Sequence, residues 1–136
     1  MDFSFSEEQR SIRDAVEKIC ARFDADYWRK RDETGEFPHE LHQALARDGW
    51  LGVAMPTEYG GAGLGITEAA IMMQTVSESG GGIAAASTVH MNIFGLHPVV
   101  VFGTKEQQQR WLPRRSFRGS TRRASVSPSR IPASIR

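Results

Sequence analysis

The sequence predicts an all-α helical bundle followed by a disordered C-terminal tail, and three observations carry that reading. Apolar residues recur at helical spacing on both sides of one glycine-rich stretch. Two capping boxes, Ser6 with Gln9 and Thr104 with Gln107, mark helix starts near the two ends. The one strand-like run, Val99-Val100-Val101, is too isolated to pair.

The first helix opens at Ser6, with Glu7 and Glu8 in its first turn, where carboxylates meet the positive helix end. Ile12, Val16, Ile19, Cys20 and Phe23 share one face. Cys20 reads as a small core residue; a reactive thiol would need a basic neighbourhood. Residues 24–36 are mostly charged around Tyr27 and Trp28, and form either the end of this helix or a solvated connection. Pro38 suits the first turn of a second helix. Leu41, Ala44 and Leu45 give its apolar face, and Gly49 is its C′ residue. His39 and His42 resemble half a zincin motif, but HExxH is absent and no third ligand is near, so they read as surface histidines.

Gly49 to Gly65 reads GWLGVAMPTEYGGAGLG, with six glycines and a proline. Flexible linkers are Gly/Ser-rich and polar. This stretch holds Trp50, Leu51, Val53, Met55, Tyr59 and Leu64, which need burial. It predicts a packed loop with unusual backbone angles. It has no Gly-Lys-Ser/Thr, and from Gly61 the spacing is Gly-x-Gly-x-Gly rather than GxGxxG, so it is not read as a nucleotide loop.

Thr67 is the predicted N-cap of a third helix, with Glu68 in its first turn, and Gly80-Gly81-Gly82 ends that helix. Ile83 to Phe94 is small and apolar and predicts a central, mostly buried helix. His90 on it is either a hydrogen-bonded core histidine or a residue beside a ligand pocket. Gly95 breaks this helix. Leu96 to Phe102 is a short apolar segment with Pro98 in its first turn, ended by Gly103. Trp111 and Leu112 close the last helix, and Pro113 stops it.

A chain of 136 residues is one domain at most. A hydrophobic content of 40% and a charged content of 24% are ordinary for a soluble protein. The start MDFSFSEEQR lacks the basic and apolar regions of a secretory signal. No apolar run approaches the ~18 residues of a membrane span. A cytoplasmic location is the expectation. The single cysteine excludes an internal disulfide and a multi-cysteine metal site. The net charge of +1 hides an asymmetry: residues 1–106 hold all 16 acids and 9 of the 17 basic residues, whereas residues 107–136 hold no acid and 8 arginines.

Several segments, in this order and spacing, resemble the N-terminal domain of the acyl-CoA dehydrogenase family. They are FSFSEEQRSIRDAV, LGVAMPTEYGGAGL, STVHM and GLHPVVVFGTKEQQQRWLP. The resemblance covers residues 1–113, and its PTEYGGAGL and FGTKEQQQRWLP segments are specific when found together. It implies a helical N-terminal domain beside a β-barrel-like middle domain and a C-terminal helical domain. It implies flavin adenine dinucleotide (FAD) between those later domains, and a glutamate base in the C-terminal part that removes the α-proton while hydride passes to the flavin. It implies an acyl-CoA substrate, an electron-transfer partner and a homo-oligomer. The N-terminal domain would contribute packing and part of the acyl-pocket wall, through the helix bearing Ser87, His90, Met91 and Phe94. None of the glutamates here matches the family's base, so no catalytic or flavin-binding residue is assigned, and the isolated chain is expected to be inactive.

Residues 114–136 are Arg/Ser-rich, lack periodicity, and depart from the family. In the family a motif like Ala-Cys-Phe-Gly-Val-Thr-Glu-Pro-x-x-Gly follows. Codons built from the last base of one codon and the first two of the next, from Arg118 on, can spell Gly-Glu-His-Pro-Ala-Cys-Phe-Gly-Val-Thr-Glu-Pro-Asp-Ser-Gly-Val-Asp. The tail is therefore read as a frameshift of that motif. The rival reading is a genuine basic tail that binds nucleic acid or an acidic partner through charge. Another is a non-enzymatic helical module that docks onto a separately encoded remainder of the enzyme.

Overall fold

The computed structural model of the protein describes residues 4–112. The tail from residue 113 on lies outside the described residues. Seven α-helices run α1 (Glu7–Cys20), α2 (Ala25–Thr34), α3 (His39–Arg47), α4 (Ile66–Val76), α5 (Gly82–Phe94), α6 (His97–Phe102) and α7 (Lys105–Trp111). No strand occurs among the described residues. The all-α expectation holds.

The predicted caps at both ends form. The Ser6 hydroxyl accepts from the Gln9 amide, and the Gln9 side chain accepts from the Ser6 N–H. Thr104 and Gln107 repeat the arrangement on α7. Gly49 follows α3 in the left-handed region at φ 87, as a C′ glycine should. Two helix starts differ from expectation. Pro38 is the N-cap of α3 rather than a first-turn residue. Gly65, not Thr67, caps α4, because the Glu68 carboxylate accepts from the Gly65 N–H at 3.0 Å.

Residues 24–36, left between two readings, form the separate helix α2. Asp24 caps it by accepting from the Tyr27 N–H, and Gly35 ends it at φ 67. The charged residues face water while Trp28 is buried. The Tyr27 hydroxyl and Arg31 both reach Glu40 on α3, clamping α2 to α3.

The core is built from α1, α3, α4, α5 and the turn after α3. Ile12, Val16, Leu41, Leu45, Leu51, Met55, Met72, Val76, Val89 and Ile93 are all fully buried. Each such side chain contributes on the order of 1.5–3 kcal/mol by leaving water. The principal packing pair is α1 on α4, and α5 packs on α4 and α3. Cys20 is part of this core.

A single π turn, Ser77–Gly81, joins α4 to α5. Gly80 (φ 105) breaks the helical path there. Gly81 lies so close to Trp28 that an added Cβ would sit 2.5 Å from the indole Cζ2. By length and composition alone the stretch Ile66–Phe102 is long and apolar enough to cross a membrane, with a mean hydropathy of 1.3 in its best window. The sequence reading missed this, because it treated the glycines as an end. In the fold those glycines bend the path, and α4 and α5 pack against each other.

Candidate functional site

Helix α5 sets the candidate surface. Ala85, Thr88, Val89 and Ile93 recur at helical spacing and face the core. Ser87, His90, Met91 and Phe94 recur at the same spacing on the opposite side, and all four are exposed. The structure thus brings the four predicted pocket residues onto one outward stripe. The His90 and Phe94 rings lie 5.5 Å apart. The expectation of a mostly buried α5 is corrected: Ile83 is 84% and Met91 66% exposed. His90 is not a core histidine. The helix reads as buried on composition because its outer face, like its inner one, carries no charge.

The apolar surface continues past α5. Val101 and Phe102 on α6 and Trp111 on α7 are exposed. The segment Val99–Val101 is helical rather than extended. No Asp, Glu, Lys or Arg occurs from Ser79 to Thr104. That absence of charge over residues 79–104 was the sequence signal for an outward apolar face, and periodicity alone did not reveal it. Two grooves on the α1 side, one lined by Asp14, Lys18, Arg22 and Trp50, the other beside Cys20, do not include the stripe. The stripe is an exposed face of the described residues.

At its edge the stripe meets α3. His42, expected at the surface, is half-buried, and its Nε2 lies 3.3 Å from Asn92 Nδ2 on α5. Phe37 packs edge-on at 4.9 Å from the His39 ring and 5.7 Å from the His42 ring. Burial, with His39 adding to it, pushes the His42 imidazole below its ordinary range. Sequence reasoning missed the His42–Asn92 pair, since the two residues lie 50 positions apart.

The glycine-rich stretch is a closed structural unit. The N–H groups of Gly49, Gly52, Gly60, Gly61 and Gly63 all donate to backbone carbonyls within 3.1 Å, and that of Gly65 donates to Glu68. Residues 62–64 double back on 52–55 through Ala62 to Gly52, Gly63 to Met55 and Leu64 to Val53. Gly60 and Gly63 hold positive φ at these reversals. None of these glycine N–H groups is left for a phosphate, and Trp50 and Met55 are buried beneath. Cys20 is equally inert: burial pushes its thiol up, against a smaller opposing hydrogen bond from Ser79.

The chemistry available on the stripe is one imidazole, one hydroxyl and apolar contact. It carries no carboxylate and no cation. Residues 6–116 match the family described as Acyl-CoA dehydrogenase, N-terminal domain. The chain belongs to the acyl-CoA dehydrogenase family. It is similar to the probable acyl-CoA dehydrogenase YngJ of Bacillus subtilis, 32% identical over 111 residues, which are 80% of this chain and 28% of that protein. It is also similar to the acyl-CoA dehydrogenase fadE12 of Mycobacterium tuberculosis, 34% identical over 114 residues, 82% of this chain and 29% of the other. A mitochondrial isovaleryl-CoA dehydrogenase of Pongo abelii is 32% identical over 111 residues, 80% of this chain and 26% of that enzyme. No solved structure matches the chain significantly. The chain therefore spans less than a third of these acyl-CoA dehydrogenases. The flavin dinucleotide that the family implies needs cations or free N–H groups for its pyrophosphate. In the glycine-rich stretch the glycine N–H groups are already engaged, so that stretch does not fit such a pyrophosphate.

Proposed function

We propose that this chain supplies the N-terminal helical domain of an FAD-dependent acyl-CoA dehydrogenase and forms part of the wall against which the acyl chain lies. The supporting observation is the outward stripe of Ser87, His90, Met91 and Phe94, set in a surface without charge on a domain of this family. Apolar side chains at such a wall shield an acyl chain from water and leave its charged end outside the contact. The α-proton abstraction and hydride transfer belong to segments outside this chain, as do FAD, the electron-transfer partner and the contacts of a homo-oligomer. The middle and C-terminal domains would cover Ile83, Val101 and Phe102. A cytoplasmic location is part of the same proposal.

Alone, the chain is expected to neither bind flavin nor turn over substrate. The test is a flavin absorbance spectrum of the purified chain, with acyl-CoA turnover measured using an artificial electron acceptor; turnover would overturn the reading. The exposed face supports a second reading, a docking module for a separately encoded remainder of the enzyme. Co-purification with such a polypeptide, with activity restored, separates the two. For the Arg/Ser-rich tail, the proposal is a frameshift of the family's next motif. Reading the coding DNA tests it: a gene in which no single-base shift near Pro113 restores that motif removes the idea. Salt-sensitive nucleic-acid binding that vanishes on deleting residues 114–136 would instead support a genuine basic tail.

A further inference from the structure

One polar contact joins α3 to α5. Asn92 donates its amide to His42 Nε2 at 3.3 Å, which places the imidazole's own proton on Nδ1. Asn92 sits between Met91, which faces outward, and Ile93, which is fully buried. Its side chain therefore ties α5 to α3 between the outward and the buried faces of α5.

We propose that the His42–Asn92 contact is a pH-sensitive latch between α3 and α5, closed while the imidazole is neutral and released by acid. Protonation would place an N–H on Nε2 against the Asn92 N–H groups, donor facing donor, and the present contact must break for the amide to turn its oxygen to the ring. It would also put a charge into a half-buried site beside the Phe37 ring. Burial, and His39 on the same helix, both work against a positive charge on it. The Trp50–Gly52 turn offers no titratable side chain, α1 turns Ile12, Val16 and Ile19 inward, α5 offers the Asn92 amide and carries His90 on its exposed side, and Glu40 on α3 is engaged by Tyr27 and Arg31 of α2. A histidine whose proton is held less firmly in the fold than in the open chain stabilises the fold fully above its ordinary value of ~6.5, and that stability is lost as pH falls below it. The latch rests on this geometry and not on the proposed function.

The experiment uses the full 136-residue chain, with melting temperature followed by circular dichroism between pH 7.5 and 5.5. His42→Gln keeps an acceptor for Asn92 but cannot titrate. Asn92→Asp gives His42 an anionic partner that favours the imidazolium. The wild-type chain should lose melting temperature on acidification, and His42→Gln should lose less. Asn92→Asp should reverse the sign of the His42 contribution and raise the His42 midpoint in an NMR titration. Amide exchange, corrected for its intrinsic rate, should accelerate in acid across α5 more than across α1. Equal slopes in wild type and His42→Gln, an unmoved midpoint in Asn92→Asp, or uniform acceleration over all helices would overturn the latch.

Discussion

Replacing Gly61 with alanine tests whether the glycine-rich stretch is a packed unit. Gly61 is outside the positive-φ set, so an alanine there costs nothing through backbone preference. The cost is steric. The new Cβ would lie 2.2 Å from the Met55 carbonyl oxygen and 2.4 Å from the Met55 Cβ. Both belong to the backbone side of a fully buried residue and cannot swing away. The two segments must separate, straining the Ala62-to-Gly52 and Gly63-to-Met55 hydrogen bonds. Overpacking costs about 1–3 kcal/mol. Each weakened backbone bond adds about 1 kcal/mol. The expected loss is about 3–5 kcal/mol, a large share of the ~5–15 kcal/mol typical of a domain. Gly35→Ala is the contrasting case: φ is 67 with open space around the added Cβ. That variant should lose only the ~1–2 kcal/mol of a left-handed alanine. Urea unfolding, monitored by circular dichroism and compared at constant m, measures both. A Gly61→Ala chain within ~0.5 kcal/mol of wild type, below the range of overpacking, would refute the argument.

Further outcomes follow from other contacts. Gly81→Ala should destabilise strongly through the Trp28 ring, and Trp28→Leu should recover part of the loss in a double-mutant cycle with a coupling of about 0.5–3 kcal/mol. Glu40 is held below the ordinary carboxylate range by its backbone hydrogen bond and by the Tyr27 hydroxyl. Its contribution is therefore present above the ordinary value of ~4.3 and lost as pH falls below that toward the lowered folded value, so the stability gap between wild type and Glu40→Gln should narrow in acid unfolding. Ile83→Lys with Phe102→Lys should raise the concentration at which the chain aggregates, read by light scattering, while shifting stability by no more than ~0.5 kcal/mol per site. Cys20 should react slowly with a thiol reagent in the native chain and fast in urea.

The parts of the fold that local chemistry specifies were legible. A capping box needs four residues, so Ser6–Gln9 and Thr104–Gln107 could be read directly. The α1 and α3 stripes stood out because charged residues fill their outer faces. Helix α2 escaped because one buried indole is its core contribution, too little for periodicity to register. Thr67 was misread as a cap because Gly65 has no side chain to announce itself, and the Glu68 carboxylate does the capping from inside the helix. At the site, grouping Ser87, His90, Met91 and Phe94 was within reach of helical spacing, but deciding which side of α5 faced out was not.

The sequence by itself therefore determined the helical class, the helix starts at Ser6 and Thr104 and the structural character of the Gly49–Gly65 stretch, because each rests on residues close together in the chain, and it determined the family through the order and spacing of several such segments. Tertiary structure alone decided three things: that Gly61 lies under Met55, that Trp28 lies on the glycine bend at Gly80 and Gly81, and that α5 turns Ser87, His90, Met91 and Phe94 outward. The physical reason is shared. A close approach depends on what stands opposite in space, and a helix apolar on every side gains its buried face only from the partners that pack against it.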